Sequence, residues 1–286
     1  MRSTLVSLFV AIALPLAAQT PLIDQGRALM EKRDYDKAAE VLEKAVAATP
    51  KSAEAHYLLG SVYGQQAMTA NLFSQMSLAS KTKDQFEQAV QLDPNHLDAR
   101  MGLLQFYMMA PGIAGGSESK AMEQANEIKK RDPFRGHRAW AVIYGRQKKP
   151  DLARKEYIDA VREQPGSPKT HIALGAFYLG EKNNAAAATE FESALKADPN
   201  YMPAWFWIGR GTVATESNYA RGEEALKKYL AYKPKSDEPG LFRAHYWLGQ
   251  IYEKTGRKAE AKASYATSLK LNPDQKDVTE ALKRVS

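Results

Sequence analysis

The chain contains 286 residues, of which 26% are charged, and it has no cysteine. The lack of cysteine excludes disulfide bonds, thiolate chemistry and the attachment of a lipid to a thiol. The formal net charge of +7 is spread along the chain and is not gathered in one basic run. Scattered charges of this kind are typical of solvated helix surfaces, so we expect no nucleic-acid partner.

Residues 1–18 have the pattern of a secretory signal peptide. Arg2 precedes an apolar stretch of 12 residues from Leu5 to Leu16, and small residues follow up to Ala18. A membrane-spanning helix needs about 20 residues, so we expect cleavage near Ala18 and no stable membrane insertion afterwards. The sequence therefore predicts an exported protein, most simply in a bacterial periplasm, with secretion as the alternative.

Seven prolines recur along the rest of the chain, and each one closes a similar helical pattern. Their spacings are 44, 39, 32, 34, 35 and 39 residues, and periods in this range are typical of solenoids and repeat arrays. Proline lacks a backbone N–H and disfavours helix in the residue before it, so each proline ends a helix and starts a turn. The seven residues are Pro50, Pro94, Pro133, Pro165, Pro199, Pro234 and Pro273.

Each repeat contains two amphipathic helical segments with small residues at fixed positions. The first segment has Gly or Ala at one position in six of seven repeats, and the second has Ala at the facing position in five. Small side chains allow two helices to approach to roughly 8 to 10 Å. A bulky neighbour, such as Phe191 or Tyr265, is expected to fill the adjacent space. Residues 168–201 and the repeat that begins at Phe242 fit this pattern without a gap.

This pattern resembles the tetratricopeptide repeat, a helix-turn-helix element of about 34 residues. The resemblance implies an all-α fold, a right-handed superhelical solenoid of about seven repeats with a C-terminal capping helix. We expect a single solenoid domain over residues 19–286. Its repeats are expected at about 19–52, 53–96, 97–133, 134–167, 168–201, 202–241 and 242–273, followed by the cap at 274–286. The apolar face of the cap is expected to consist of Val278, Ala281, Leu282 and Val285.

Two repeats are interrupted by insertions. The second repeat has ten extra residues within Gln65–Ser80, where the lack of Gly and Pro predicts additional helical turns. The third repeat has five extra residues within Met109–Ser117. Helix breakers in that segment predict an irregular loop, followed by a helix that Ser117 caps. Insertions in solenoids often add binding specificity, so we expect specificity in these two segments.

No residue pattern indicates catalysis, a metal or a cofactor. Four histidines occupy equivalent positions in successive repeats, roughly 10 Å apart, which is too far for two of them to bind one zinc ion. We expect them to replace a packing aromatic residue; they are His56, His137, His171 and His245. The segment Gly112–Ser117 lacks the lysine and the preceding strand of a phosphate-binding loop. No Gly-x-Ser-x-Gly elbow occurs either, so we expect no enzyme and no cofactor.

The family resemblance also implies a binding surface. In tetratricopeptide repeat arrays, the first helices line a concave groove that receives an extended or helical peptide. The residues expected to line this groove are Arg27, Tyr57, Met101, Gln105, Arg138, Ile172, Phe206, Arg210, Tyr246 and Gln250. Family members that clamp a C-terminal carboxylate use Lys and Asn. Here Arg138 and Lys169 are present but the asparagines are not, which argues against a receptor for chaperone tails.

The sequence thus predicts an exported scaffold that mediates protein–protein or protein–peptide interaction, in cell-envelope assembly or secretion. The alternative is an envelope glycan or lipid, bound by basic residues and by Trp205, Trp207 and Tyr246 as stacking surfaces. Successive residues on a helix point about 100° apart, so we expect at least one of the two tryptophans to be buried. Their exposure distinguishes the two interpretations.

Overall fold

The computed structural model describes residues 20–286, which form 15 α-helices, one short 3-10 helix and no strand. The expected signal peptide lies outside the described residues. The prediction of an all-α helical repeat fold is confirmed. The chain divides into two compact units, an N-terminal unit that ends at Lys149 and a C-terminal unit, Pro150–Ser286. None of the helices in residues 20–286 has the length and apolar character needed to cross a membrane.

The N-terminal unit contains seven α-helices. Consecutive helices form hairpins, α1 with α2, α3 with α4 and α5 with α6, and α6 also packs against α7. A 3-10 helix, Gly112–Ala114, lies between α5 and α6. The helices are α1 Thr20–Glu31, α2 Tyr35–Ala48, α3 Ala53–Thr69, α4 Leu72–Leu92, α5 Leu97–Met109, α6 Glu118–Arg131 and α7 Pro133–Arg146.

The C-terminal unit contains eight α-helices. Helix α8 packs against α9, and three hairpins follow, α9 with α10, α11 with α12 and α13 with α14. Helix α15 packs on α14, and its Val278 and Ala281 are fully buried, so the predicted capping helix is confirmed. The helices are α8 Pro150–Glu163, α9 Pro168–Gly180, α10 Asn184–Ala197, α11 Met202–Thr215, α12 Tyr219–Leu230, α13 Leu241–Lys254, α14 Lys258–Leu271 and α15 Lys276–Arg284.

The two helices of a hairpin meet where a glycine of the first helix faces a bulky side chain of the second. A Cβ atom at Gly175 would lie 2.5 Å from Cε1 of Phe191, and one at Gly209 would lie 2.3 Å from Cγ of Leu226. Such distances are too short for real carbon contacts, so no larger residue fits without movement. The predicted pairing of small and bulky residues is confirmed here and in three further hairpins. Those pairs are Gly26 with Leu42, Gly60 with Phe86 and Gly249 with Tyr265.

The hairpin of α3 and α4 is longer than its neighbours, as the first insertion predicts. Helix α3 has 17 residues and α4 has 21, whereas α9 and α10 have 13 and 14. A break at Ala70 and Asn71 reverses the chain, and the Asn71 side chain caps α4 by accepting a 3.1 Å hydrogen bond from the Ser74 N–H. The Gln75 amide donates to the Ala67 carbonyl oxygen at 3.0 Å and ties the two helix ends together.

The second insertion forms a compact loop between α5 and α6. Gly115 has a φ of +94°, a conformation that favours glycine. The loop folds back on α5, since the Ser117 N–H donates to the Tyr107 carbonyl oxygen at 2.9 Å. Ser117 then caps α6 by accepting from the Lys120 N–H. The predicted irregular loop and the predicted cap are both confirmed.

We predict that Gly175→Ala lowers the free energy of unfolding by about 1 to 3 kcal/mol, because the added Cβ overpacks the contact with Phe191. Gly180→Ala is the matched control, since it lies on the same helix and a Cβ there would meet no atom within 4 Å. Alanine should leave stability unchanged at this position or raise it by up to about 1 kcal/mol. Chemical denaturation of both variants checks the pair, and equal effects would contradict the packing role.

Candidate binding sites

A cavity of about 640 Å³ lies within the N-terminal unit, between α3, α4, α5 and the loop that precedes α6. Both insertions contribute to its wall. Its lining is mainly apolar, with a few side-chain amides, hydroxyls and one carboxylate. The lining residues are Tyr57, Ser61, Gly64, Gln65, Ala67, Met68, Leu72, Gln75, Met76, Ala79, Thr82, Phe86, Asp98, Met101, Gly102, Gln105, Phe106, Met109, Ala110, Pro111 and Ala114.

Large apolar side chains are exposed on the insertions that bound the cavity. Leu72 is 71% exposed and Met109 is 56% exposed, and both line the cavity. Phe73, next to Leu72, is 91% exposed, and Ile113 in the 3-10 helix is 89% exposed. A cluster of exposed apolar side chains around a concavity indicates an interaction site, whereas single exposed apolar residues are common on protein surfaces.

Three of the residues predicted for the groove line this cavity, namely Tyr57, Met101 and Gln105. Tyr57 and Met101 are half-buried and Gln105 is exposed. The Tyr57 ring stacks on Phe86 with a centroid distance of 6.1 Å and lies 4.9 Å from the His96 ring. Burial of the Tyr57 hydroxyl raises its pKa above the ordinary value, so this tyrosine enters the site as a neutral hydrogen-bonding group.

Arg27 and Arg138, also predicted for the groove, lie elsewhere on the N-terminal unit. Arg27 is exposed and forms an ion pair with Glu54, which also accepts a hydrogen bond from His96 Nε2 at 3.0 Å. The hydrogen bond from His96 is the main reason that the pKa of Glu54 is lowered. The Arg138 side chain is exposed and lies over the Phe134 ring at 5.8 Å.

The other five predicted groove residues belong to the C-terminal unit. Ile172, Arg210, Tyr246 and Gln250 are half-buried. Phe206 requires a correction, because it is only 2% exposed. Its ring packs against Trp207 and Tyr229, so it supports the surface from inside and does not reach a ligand.

The two tryptophans of α11 differ in burial. Trp205 is 7% exposed and belongs to the core, with the Arg221 guanidinium and the Lys228 ammonium over its ring at 4.8 and 3.9 Å. Trp207 is half-buried. The prediction that one of them is buried is confirmed, and the expectation that Trp205 offers a stacking surface is wrong.

The Arg210 guanidinium lies over two indoles. Its guanidinium carbon is 4.9 Å from the centroid of Trp207 on α11 and 5.4 Å from that of Trp247 on α13. Tyr246 packs against Trp247 with a centroid distance of 4.8 Å. Burial, and then the charge of Arg243, lower the pKa of Arg210.

Two of the four histidines at equivalent repeat positions, His56 and His171, link the first helix of their hairpin to the turn before it. His56 Nε2 lies 3.1 Å from the Pro50 carbonyl oxygen, and His171 Nε2 lies 3.0 Å from that of Pro165. Their Nδ1 atoms contact Gln85 and Glu190 at 2.7 Å. His56 and His171 therefore stabilise the hairpins through hydrogen bonds as well as packing. Within residues 20–286, no three His, Asp or Glu side chains are grouped as metal ligands.

Sequence reasoning did not identify Phe73, Ile113 and Trp247 as site residues. Phe73 and Ile113 belong to the insertions, which have no counterpart in a regular repeat and therefore no expected orientation. The position of Trp247 in the sequence could have identified it, since it is the counterpart of Trp207 one repeat later. Two tryptophans at one repeat position predict neighbouring indoles on successive first helices.

Comparisons with known proteins agree with this architecture. Models of the tetratricopeptide repeat match residues 138–210 and 242–275, and a model described as TPR repeat matches residues 26–66. The chain is a tetratricopeptide repeat protein. Such repeats generally mediate protein–protein interaction and scaffolding, and proteins built from them are typically non-enzymatic.

Individual relatives are distant. Superkiller complex protein 3 of Mus musculus is 24% identical over 257 residues, which cover 87% of this chain and 15% of that protein. The human IFIT1 dimer with m7Gppp-AAAA is 19% identical with a TM-score of 0.57, over 93% of this chain and 62% of that one. A tetratricopeptide repeat protein from Parabacteroides merdae is 13% identical with a TM-score of 0.54, over 94% and 99%. These likenesses show the fold alone.

We predict that Glu54→Gln lowers the free energy of unfolding by about 1 kcal/mol at pH 7, because it weakens the partly exposed contacts with Arg27 and His96. The pKa of Glu54 is lowered in the folded protein, so this contribution is present above its ordinary value of 4.5 and is lost as the pH falls through the folded value.

Because the hydrogen bond with Glu54 also raises the pKa of His96, the difference in unfolding free energy between wild type and variant should grow as the pH falls from 7 to below 6.5, and should then shrink as the pH falls below 4.5. Denaturation at several pH values measures it. Glu31→Gln, at an exposed position on α1, serves as the control. A difference that stays constant with pH would show that the carboxylate charge is not involved.

Proposed function

We propose that the protein is an exported scaffold that binds an apolar segment of a partner protein in the cavity of the N-terminal unit. The observation that carries the proposal is the cavity itself. Three predicted groove residues and both insertions line it, and large apolar side chains stand exposed beside it. Burial of these side chains against a partner would contribute about 25 cal/mol for each Å² removed from water.

The chemistry of the lining favours a peptide with apolar side chains. A volume of about 640 Å³ falls in the range of ligand pockets. Four methionines, Met68, Met76, Met101 and Met109, contribute to the wall. Unbranched, polarizable side chains adapt to irregular surfaces, so the wall suits a helix that inserts side chains at positions i, i+3, i+4 and i+7.

The polar groups of the cavity can form hydrogen bonds with the polar side chains at the edge of such a helix. Gln65, Gln105 and the Ser61 hydroxyl carry hydrogen-bonding groups at the wall. Asp98 contributes the carboxylate, but it pairs with Arg135 at 2.8 Å. The cavity therefore holds little unbalanced charge, which supports recognition by apolar contact more than by ion pairing.

The proposal is tested with a defined probe, a helical peptide of about 18 residues with leucine at i, i+3, i+4 and i+7 and with serine and glutamine elsewhere. We predict that Met76→Glu weakens its binding by at least about tenfold, because a charge would have to be desolvated in the apolar wall. Met76 is 41% exposed, so the variant should still fold.

Leu271→Glu is the matched control, because Leu271 is 53% exposed and belongs to α14 of the C-terminal unit. It should leave the affinity for the peptide unchanged. Fluorescence anisotropy measures both variants. Equal losses for the two variants, or no loss for either, would contradict the assignment of the cavity.

A photoreactive amino acid at Met76, compared with one at Leu271, then identifies the native partner and the segment that it inserts. We expect adducts from Met76 that map to an apolar segment of one protein of the cell envelope or secretion machinery. The alternative ligand is an envelope glycan or lipid. The burial of Trp205 disfavours this alternative, because a buried ring offers no stacking surface. Acyl lipid co-purified in the cavity, with no affinity for the peptide, would favour that alternative.

Export rests on the pattern of residues 1–18. We predict that the native protein is found outside the cytoplasm and begins near Gln19, because the apolar stretch directs secretion and is then removed. A chain without residues 2–18 should remain in the cytoplasm. Cell fractionation and N-terminal sequencing measure both results, and a cytoplasmic protein with an intact N-terminus would contradict export.

A further inference from the structure

The environment of Arg210 in the C-terminal unit is unusual among the arginines of that unit. Five of the seven arginines there form an ion pair with an acidic side chain. These pairs are Arg154 with Glu181, Arg162 with Asp159, Arg221 with Glu192, Arg257 with Glu223 and Arg284 with Glu253. Among the residues that the structure describes, Arg210 and Arg243 have no such partner; Arg210 lies over two aromatic rings and Arg243 over one.

The position of Arg210 follows from the repeat. Trp207 and Arg210 are three residues apart on α11 and therefore share one face of the helix. Trp247 occupies the position on α13 that Trp207 occupies on α11, and the Arg210 guanidinium lies over both rings. Tyr246 packs against Trp247 and restricts its movement. The contacts with two rings therefore restrict the Arg210 side chain before any ligand arrives.

The guanidinium of Arg210 contacts these two rings and forms no ion pair in the part of the chain that the structure describes. A guanidinium carries five N–H donors, all of them in its plane, and no acceptor within residues 20–286 receives a hydrogen bond from Arg210. Its charge is half-buried and lies close to the charge of Arg243, and both factors lower the pKa of Arg210. A partly desolvated cation beside a like charge is unfavourable unless an anion joins it.

We propose that Arg210, with Arg243 beside it, binds a side-chain carboxylate from an acidic segment of a partner protein. The planar edge of a guanidinium matches the two oxygens of a carboxylate in a bidentate contact. The two indoles restrict the movement of the Arg210 side chain, so little conformational freedom is lost when the carboxylate binds. This site lies in the C-terminal unit and is separate from the apolar cavity of the N-terminal unit.

The test uses two probes of about ten residues, acetylated and amidated so that no terminal charge remains, in which serine alternates with glutamate or with glutamine. We expect the glutamate peptide to change the tryptophan fluorescence of the protein in a saturable manner and the glutamine peptide to have no effect. Arg210→Gln should weaken binding of the glutamate peptide by at least about tenfold, as expected for loss of a charge-assisted pair.

Arg146→Gln is the matched control, because it removes the same charge from an exposed arginine at the end of α7 in the other unit. It should leave the affinity unchanged. Arg210→Lys keeps the charge but loses the planar fork, so it should also weaken binding. Equal binding of the two peptides, or equal affinity in Arg210→Lys and wild type, would overturn the proposal.

The melting temperature distinguishes a binding role of Arg210 from a purely structural role, because loss of a structural residue would lower it. If the arginine is held ready for an anion, Arg210→Met should keep or raise the melting temperature, because it removes a partly desolvated charge. A lower melting temperature together with unchanged peptide binding would overturn the proposal. If inorganic phosphate competes with the glutamate peptide more strongly than acetate does at equal concentration, the site binds phosphate and the proposal of a carboxylate ligand is overturned. Met76→Glu should not affect the glutamate peptide, so the two sites can fail independently.

Discussion

The close approach of two helices at a glycine is the constraint on which the rest of the structure depends. In each of five hairpins, a bulky side chain of the second helix occupies the place where a Cβ of the first helix would stand. This contact sets the distance between the helices and the depth of the core. Because the same contact recurs along the chain, successive hairpins present equivalent surfaces, and differences between them come from insertions and from individual side chains.

The cavity of the N-terminal unit shows how insertions change such a regular scaffold. Extra turns in α3 and α4 extend the hairpin, and the loop after α5 folds back against it through the hydrogen bond from Ser117 to Tyr107. Phe86 forms part of the wall and also fills the space beside Gly60. The residues that hold the hairpin together therefore shape the site, which explains how a site can arise on this scaffold without a separate domain.

Electrostatics separates the two candidate sites. The apolar cavity holds little unbalanced charge, since Asp98 is paired with Arg135. In the C-terminal unit, Glu residues neutralise most arginines, whereas Arg210 is surrounded by indoles and a second arginine. An apolar site and a cationic site on separate units would let one scaffold recognise two kinds of segment, and each can be removed without the other.

The sequence alone determined the helical repeat, the pairing of small and bulky residues, the capping helix, and the lengthening of α3 and α4. These features follow from local rules, because periodicity and helix breakers act over a few residues. Of the ten candidate groove residues, Tyr57, Met101 and Gln105 line one cavity, whereas Phe206 lies in the core. Phe206 is buried, although Ile172 and Tyr246 at the equivalent repeat positions are half-buried, because its ring packs against Trp207 and Tyr229. The tertiary structure alone decided that Tyr57, Met101 and both insertions share one cavity, and that Arg210 lies over two indoles, since these contacts join residues far apart in the chain.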